Sequence, residues 1–518
     1  MAPARTKKRV GRLTTAVTLI CASWVGYLVW HHSSSSEAAS GPPRDARATT
    51  TRDPAPPLPP AQPAAVAAGG GLRQSAPQRA PPAAAPAPEA PPLEAADSAQ
   101  AASARVHVVF STDCSPYQDW QTEVVFHSAQ LVGQRGPITR IASGCEEARQ
   151  QHLRQRYSLL YPNRPYYIHF TPDFSGAGSG STYKFYNKPG GMEHWLASAD
   201  AAKVPVIALI DPDFIFLRPL TDVVDDDALV FPPWTRVSLA DFFGGSVQRV
   251  SEGRPVAQQY GLGTYWLGFD RSKICTEPGS PCLSTTRADA AKYFPVGPPY
   301  ILHFNDWRKL ASVWREFAPR VYAQYPDLLA EMYAYCCAAA HLGLKHARVN
   351  HLMVSNVDVG DEGWKRLDAW PLEESCGKKT PGIVQMALDG GPYRALPMFL
   401  HYCQAYRLGD WMFAKRRVPA AMFDDCSHPL LAEADVSIHA LRHDFTPPGN
   451  ACKQATVRTE LVARGNHINR TAAVLCLATW HTNAAAAYAR RLTCPGYGPA
   501  NRTKMFTLAT TCHPQSKS

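Results

Sequence analysis

No CxxC pair occurs anywhere in the chain, and Cys336-Cys337 is the only adjacent couple. That spacing disfavours the thiolate clusters that hold structural zinc. A P-loop, a GxGxxG turn and the elbow of a Ser-His-Asp hydrolase are missing too, which removes the commonest motif-borne routes to nucleotide and acyl chemistry. Internal repeats are absent. A basic stripe is also absent, although the formal net charge is +10. Arg5, Lys7, Lys8, Arg9 and Arg12 supply half of that excess before the first apolar segment, and the rest is scattered. Nucleic-acid binding is therefore disfavoured. Between residues 31 and 104 there is hardly an aromatic or β-branched side chain, so this stretch lacks the apolar surface needed to offset chain entropy.

What is present divides the chain into five segments. Residues 1–12 form a basic tail. Residues 13–30 (LTTAVTLICASWVGYLVW) carry no charge and are just long enough to cross a bilayer as a helix. The basic residues before them predict an N-terminus that stays cytoplasmic, with the rest in the lumen. A signal peptide cleaved near Ala38-Ala39-Ser40 is the competing reading. Residues 31–104 are a Pro/Ala-rich disordered stem, best seen as a spacer. Residues 105–425 are the main domain. Residues 426–518 are a Cys-containing extension with helical character over 471–491. Thirteen cysteines lie outside the apolar segment, which suits disulfides in an oxidising lumen and leaves at least one thiol over.

In the main domain short apolar runs alternate with helix-like stretches. Strands are expected at 106–111, 137–142, 166–170 and 204–210, with helices at 120–131 and 188–202. This alternation predicts a three-layer α/β domain with a mostly parallel, Rossmann-like sheet, which binds ligands beyond the carboxyl ends of its strands. The run VPVIALI leads directly into Asp211-Pro212-Asp213. Residues i and i+2 of an extended segment project to one side, and two such carboxylates suit a hard divalent cation that bridges a diphosphate. By spacing alone, a metal pair and a structural turn are equal readings. Asp225-Asp226-Asp227 repeats the pattern and reads more simply as a solvated turn. Asp213 is expected nearest the open end of the sheet.

Other polar residues are candidates with bland alternatives beside them. His303 and His401 each close a short apolar run and could complete a metal shell, or be hydrogen-bonded core histidines. Glu331 lies on an apolar helix, where a carboxylate needs a partner such as Lys345 or Arg348, or a function. Lys184 and Lys188 could approach donor phosphates or belong to a solvated loop. Asp358 and Asp361 could bind acceptor or metal, or form a polar turn. Asn469 and Asn501 head N-x-T glycosylation sequences, in keeping with a luminal address.

The segments VHVVFSTDCSPYQDWQTEVVFHS, GPITRIASGC, YNKPGGMEHWL, IDPDFIF, VGPPYILHFND, EMYAYCCAAAHLGLKH and LHYCQAYRLGDWMFAKR together resemble the peptidyl serine α-galactosyltransferases that modify extensin-type glycoproteins. The related hydroxyproline O-arabinosyltransferases share a similar core. LCLATWHTNAAAAYARRLTC resembles the Cys-bounded helical tail of the serine galactosyltransferases, which favours galactose on serine over arabinose on hydroxyproline. The resemblance implies a GT-A-like fold, a UDP-sugar donor, Mn²⁺ or a similar divalent cation, and retention of anomeric configuration. It implies a Ser/hydroxyproline-rich protein acceptor and a single-pass type II address in the Golgi or endoplasmic reticulum membrane. Asp211 and Asp213 would hold metal and donor, His401 would be a third metal ligand, and Glu331 would be the acceptor-facing carboxylate. A membrane-tethered glycoprotein-binding protein without catalysis is the alternative from a different functional class.

Overall fold

The computed structural model describes residues 100–176, 182–198, 204–222, 229–231, 235–237, 249–360, 362–368, 370, 372–376, 380–388, 396–408, 411–433, 467–498 and 505–506. The apolar segment 13–30, the triplet Asp225-Asp226-Asp227, Asp361 and Asn501 lie outside them. Among the described residues no helix is long and apolar enough to cross a membrane.

Twelve strands position the site: β1 (Val106–Asp113), β2 (Ile138–Ser143), β3 (Tyr166–Thr171), β4 (Val206–Ile210), β5 (Phe214–Phe216), β6 (Val256–Gln259), β7 (Val296–His303), β8 (Ala347–Val349), β9 (Met353–Val354), β10 (Phe399–His401), β11 (Ala405–Leu408) and β12 (Trp411–Ala414). The longer helices among the described residues are α1 (Pro116–Leu131), α2 (Glu147–Leu160), α3 (Asn187–Leu196), α4 (Phe304–Gln324), α5 (Ala330–His341) and α6 (His467–Thr493). Seven strands form the main sheet in the order β8-β6-β7-β4-β1-β2-β3. Within it β7 alone runs against its neighbours β4 and β6, so the expected mostly parallel sheet is what forms.

Side-chain alternation along β4 explains the layers. Ile207 and Leu209 face a core made with α3, α4 and α5. Val206, Ala208 and Ile210 face the opposite core with α1 and α2. All five are buried, which is why the run reads as continuously apolar. The chain passes from β1 outward through β2 and β3, then returns to place β4 on the other side of β1. The carboxyl ends of β1 and β4 thus flank a topological switch point, where open α/β sheets bind ligands.

The second sheet, β9-β10-β5, continues from β4 across the Asp211-Pro212-Asp213 turn. Its core is shared with α6. Helix α6 is therefore built into the same compact unit, Ala90–Ser518, as the sheet. It starts and ends slightly beyond the expected 471–491. Tyr488 stacks on Tyr161 at 5.6 Å and donates to the Leu160 carbonyl, while Asn483 exchanges hydrogen bonds with the Leu431 backbone. Disulfides Cys376–Cys476 and Cys426–Cys494 fasten both halves of the helix, and Cys114–Cys145 and Cys275–Cys282 staple the main domain. Cys336, Cys337 and Cys403 are free thiols among the described residues.

Three histidines make the fold sensitive to acid. Burial pushes His127 on α1, His346 after α5 and His481 on α6 down to about 3. Neither ring nitrogen of His481 has a hydrogen-bond partner among the described residues. Between about pH 6.5 and 3 the unfolded chain takes up protons that the folded chain refuses, so stability is full above that window and falls as pH drops through it. Chemical denaturation at pH 7.5 and pH 5 should show a clear loss at pH 5. His481→Leu should flatten that slope by up to about 1.4 kcal/mol per pH unit; an unchanged slope would remove His481 from the explanation.

Candidate active site

The site begins with the β4 exit. Asp211 and Asp213 leave the sheet at the switch point, and the register of β5 on β10 pairs Phe214 with His401. The Tyr402 N–H donates to the Asp213 carbonyl at 3.1 Å, and the His401 ring stacks on Phe214 at 4.4 Å. His401 Nε2 consequently lies 3.3 Å from Asp213 Oδ1 and 4.0 Å from Asp211 Oδ2. One ligand atom from each of the three residues lies within 4.8 Å of the others. That separation suits a single cation, and the mixed oxygen–nitrogen donor set suits Mn²⁺ or a similar ion.

One of the sequence expectations is revised here. Asp213 is not the outer carboxylate: it is 3% exposed, whereas Asp211 is the more open of the two. The antiparallel β5–β10 pair folds back over it, a long-range pairing that local pattern does not reveal. His303 is far from the site in register, because it pairs with Val206 at the opposite end of β4 from Asp211. There it caps α4, accepting from the Asn305 N–H at 3.2 Å.

Two lysines neutralise this acidic group. Lys415, just past β12, donates a short ion-paired hydrogen bond to Asp213 Oδ2. Burial alone would raise the Asp213 carboxyl, but Lys415 and His401 hold it well below the usual carboxylate range. Lys188 lies between Asp211 Oδ1 at 2.9 Å and Glu331 Oε1 at 2.8 Å. Burial opposes its charge, yet the two carboxylates outweigh burial and keep the ammonium protonated. Burial pushes the Glu331 carboxyl up, with Lys188 pulling the other way. Glu331 Oε2 is buried and has no hydrogen-bond partner among the described residues. The partner of Glu331 is thus Lys188, and neither Lys345 nor Arg348.

Close packing of α3 delivers Lys188. A Cβ on Gly190 would lie 2.5 Å from the Phe174 ring, and one on Gly191 would lie 2.9 Å from Ile141 Cγ2. Only glycine lets this turn of helix sit so near β2. Lys184, one turn earlier, is largely exposed and reaches Asp113 Oδ2 at 3.4 Å at the end of β1. Asp358 pairs with His467 at 3.2 Å, and Asn469 is exposed in the first turn of α6. Burial pushes the nearby Cys403 thiol up to about 12, so it stays protonated and is no nucleophile. Lys415 was not singled out by sequence reasoning; a cation inside the MFAKR run gives no periodic signal of its own.

A largely parallel sheet with an aspartate pair and a histidine at its switch point is the layout of a glycosyltransferase-like α/β domain. The chain is a distant homologue of the peptidyl serine α-galactosyltransferases. It is 26% identical to the enzyme of that name from Arabidopsis thaliana over 343 residues, which cover 63% of this chain and 33% of the relative. With the Chlamydomonas reinhardtii enzyme of the same name it shares 24% identity over 295 residues, 53% of this chain and 35% of the relative. The chain therefore spans about a third of the length of the curated relatives it matches. No family model matches. Among solved structures, the bifunctional glycosyltransferase WbbM overlaps 58% of this chain and 46% of its own, at 11% identity and a TM-score of 0.27. An active-site mutant of LgtC overlaps 58% of this chain and 88% of its own, at 10% identity and a TM-score of 0.28.

Proposed function

We propose that this chain is a metal-dependent, retaining glycosyltransferase that moves galactose from UDP-galactose to a serine hydroxyl of a hydroxyproline-rich protein. The observation that carries the reading is the juxtaposition of Asp211, Asp213 and His401 with the lysine-bridged Glu331, in a chain distantly homologous to enzymes named for that reaction. Asp211, Asp213 and His401 would hold Mn²⁺ or a similar ion. When bound, that ion supplies Lewis-acid stabilisation of the departing diphosphate. In the transfer, the bond between the anomeric carbon and the diphosphate oxygen breaks, the acceptor oxygen bonds to the same carbon, and its proton leaves with the diphosphate. Lys188 fixes Glu331 through its ion-paired hydrogen bond and opposes the upward push of burial on its carboxyl. The unpartnered Glu331 Oε2 is then available to stabilise positive charge at the sugar or to orient the acceptor hydroxyl. We place this unit in the lumen of the Golgi or endoplasmic reticulum. The four disulfides among the described residues support an oxidising compartment.

The test is UDP release from UDP-galactose, with and without Mn²⁺ and a serine-containing, hydroxyproline-rich peptide. Stimulation by both is expected. His401→Ala should raise the Mn²⁺ concentration needed for half-maximal rate by about tenfold or more, and His303→Ala should leave it unchanged. Release that ignores the metal, or equal metal dependence in the two variants, would count against the assignment.

A further inference from the structure

Helix α5 starts without a cap of its own. Leu329, at the N-cap, has no side-chain acceptor, and its φ of −85° and ψ of 3° lie outside the extended conformation from which a cap side chain ordinarily reaches the first turn. The Glu331 N–H is one of the early amides that no intrahelical carbonyl can take, and the residue is buried. Its acceptor comes from 148 residues earlier: Tyr183 Oη takes the Glu331 N–H at 3.2 Å and donates its own proton to the Leu328 carbonyl at 2.7 Å. One hydroxyl thus bridges the turn that leads into α5. On the other side the indole N–H of Trp314, buried on α4, donates to the Glu331 carbonyl at 2.7 Å. Tyr183 is itself held. Its ring stacks on Tyr322 at 4.4 Å and meets Tyr186 edge-on at 4.9 Å, and its N–H donates to the Ser175 carbonyl at 2.9 Å.

We infer that Tyr183 is a positioning residue for Glu331, an inference that rests on the proposed role of that carboxylate in sugar transfer. The segment that carries Tyr183 also carries Lys188. One short stretch of chain therefore grips Glu331 twice, at its amide through Tyr183 and at Oε1 through Lys188. Lys188 alone would leave a pivot, because its ammonium sits on a flexible stem about which the carboxylate can swing. The backbone anchors from Tyr183 and Trp314 remove that freedom. They set where Oε2, buried and without a partner among the described residues, stands relative to Asp211, which Lys188 holds at 2.9 Å. An offset of about 1 Å in such a group can cost about a hundredfold in rate. The effect should fall on turnover and not on donor or metal binding. Tyr183 acts on the turn that carries Glu331, whereas Lys188 and Lys415 grip the aspartate pair.

Tyr183→Phe keeps the ring and removes the hydroxyl. In the full-length protein it should lower the maximal rate of Mn²⁺-dependent UDP release from UDP-galactose by about tenfold or more. The donor and Mn²⁺ concentrations needed for half-maximal rate should stay within about twofold of wild type. Hydrogen–deuterium exchange read by mass spectrometry should show the Glu331 amide losing protection. Tyr186→Phe removes a neighbouring buried hydroxyl that has no partner among the described residues, and should match wild type in rate and exchange. Combination with Glu331→Gln separates positioning from a general loss of fold. If Tyr183 acts through the carboxylate, Tyr183→Phe should cost less than about twofold further in that background. A defect of the fold would carry over in full, whatever the melting profile of the single variant. Wild-type turnover in Tyr183→Phe, an unchanged Glu331 amide, or an undiminished loss on top of Glu331→Gln overturns the inference. A wild type that never releases UDP overturns the transferase reading and this role with it. Release by wild type that Tyr183→Phe matches overturns the role of Tyr183 alone.

Discussion

Replacing Asp213 by Asn should lower metal-dependent UDP release from UDP-galactose by at least about a thousandfold, a loss of roughly 4 kcal/mol of barrier lowering. Asp213 is the most heavily engaged residue of the acidic group, facing His401 on one oxygen and Lys415 on the other. Asn keeps its volume and one carbonyl oxygen but removes the charge that a divalent cation requires. Ala is the poorer test. It would leave Lys415 and His401 facing a void with their counter-charge gone, and a fold defect could pass for a catalytic one. Asp213→Asn should therefore be compared by melting profile as well as by rate. Asp270→Asn, which removes an exposed carboxylate paired only with nearby Lys273 and Ser272, serves as control and should stay within about twofold of wild type. Retention of activity within tenfold in the Asp213 variant would show that the chemistry lies elsewhere.

The second large effect is expected at Lys188. Lys188→Met removes the cation that, among the described residues, faces both Asp211 and Glu331, leaving a buried carboxylate uncompensated. Breaking such a pair from one side costs about 3–5 kcal/mol, so the midpoint of chemical denaturation should fall substantially and turnover should fall with it. Glu331→Gln alone should leave the fold closer to wild type and reduce turnover by about a hundredfold, with little change in the donor concentration needed for half-maximal rate. The informative combination is Lys188→Met with Glu331→Gln. Neutralising the stranded carboxylate should restore part of the lost stability without restoring turnover. Strictly additive losses in stability would mean that the two residues do not act as a pair.

Local pattern carried a good part of this molecule. The strand leading into Asp211 and those ending in His303 and His401 were legible because an apolar run stopping at a polar residue marks where a buried strand meets its edge. The aspartate pair was legible for the same reason. Partnership across long sequence distance was not. Lys188 and Glu331 are 143 residues apart and Lys415 and Asp213 are 202 apart. Which cation meets which carboxylate depends on register and helix docking, and no window of sequence contains that. The burial of Asp213 escaped for a related reason: β5 and β10 are three residues each, too short for alternation to announce that they pair. The fit of α6 into the core follows from side chains on α1 and on the residues around 420–431, which meet only after the chain has closed.

That late closure has a consequence for biosynthesis. The face of α1 near His127 is covered by α6, whose residues leave the ribosome some 350 positions after α1 itself. At ordinary elongation rates of roughly 5–20 residues per second, α1 would wait roughly 20 to 70 s for its lid. Late in that interval Cys376 and Cys426 have emerged while Cys476 and Cys494, their partners, have not. The nascent chain thus displays sticky apolar surface and unpaired thiols together, the two features that chaperones and disulfide isomerases detect. Release from such attendants would coincide with arrival of α6, the helix that covers this face of α1 and brings the partners of both waiting thiols.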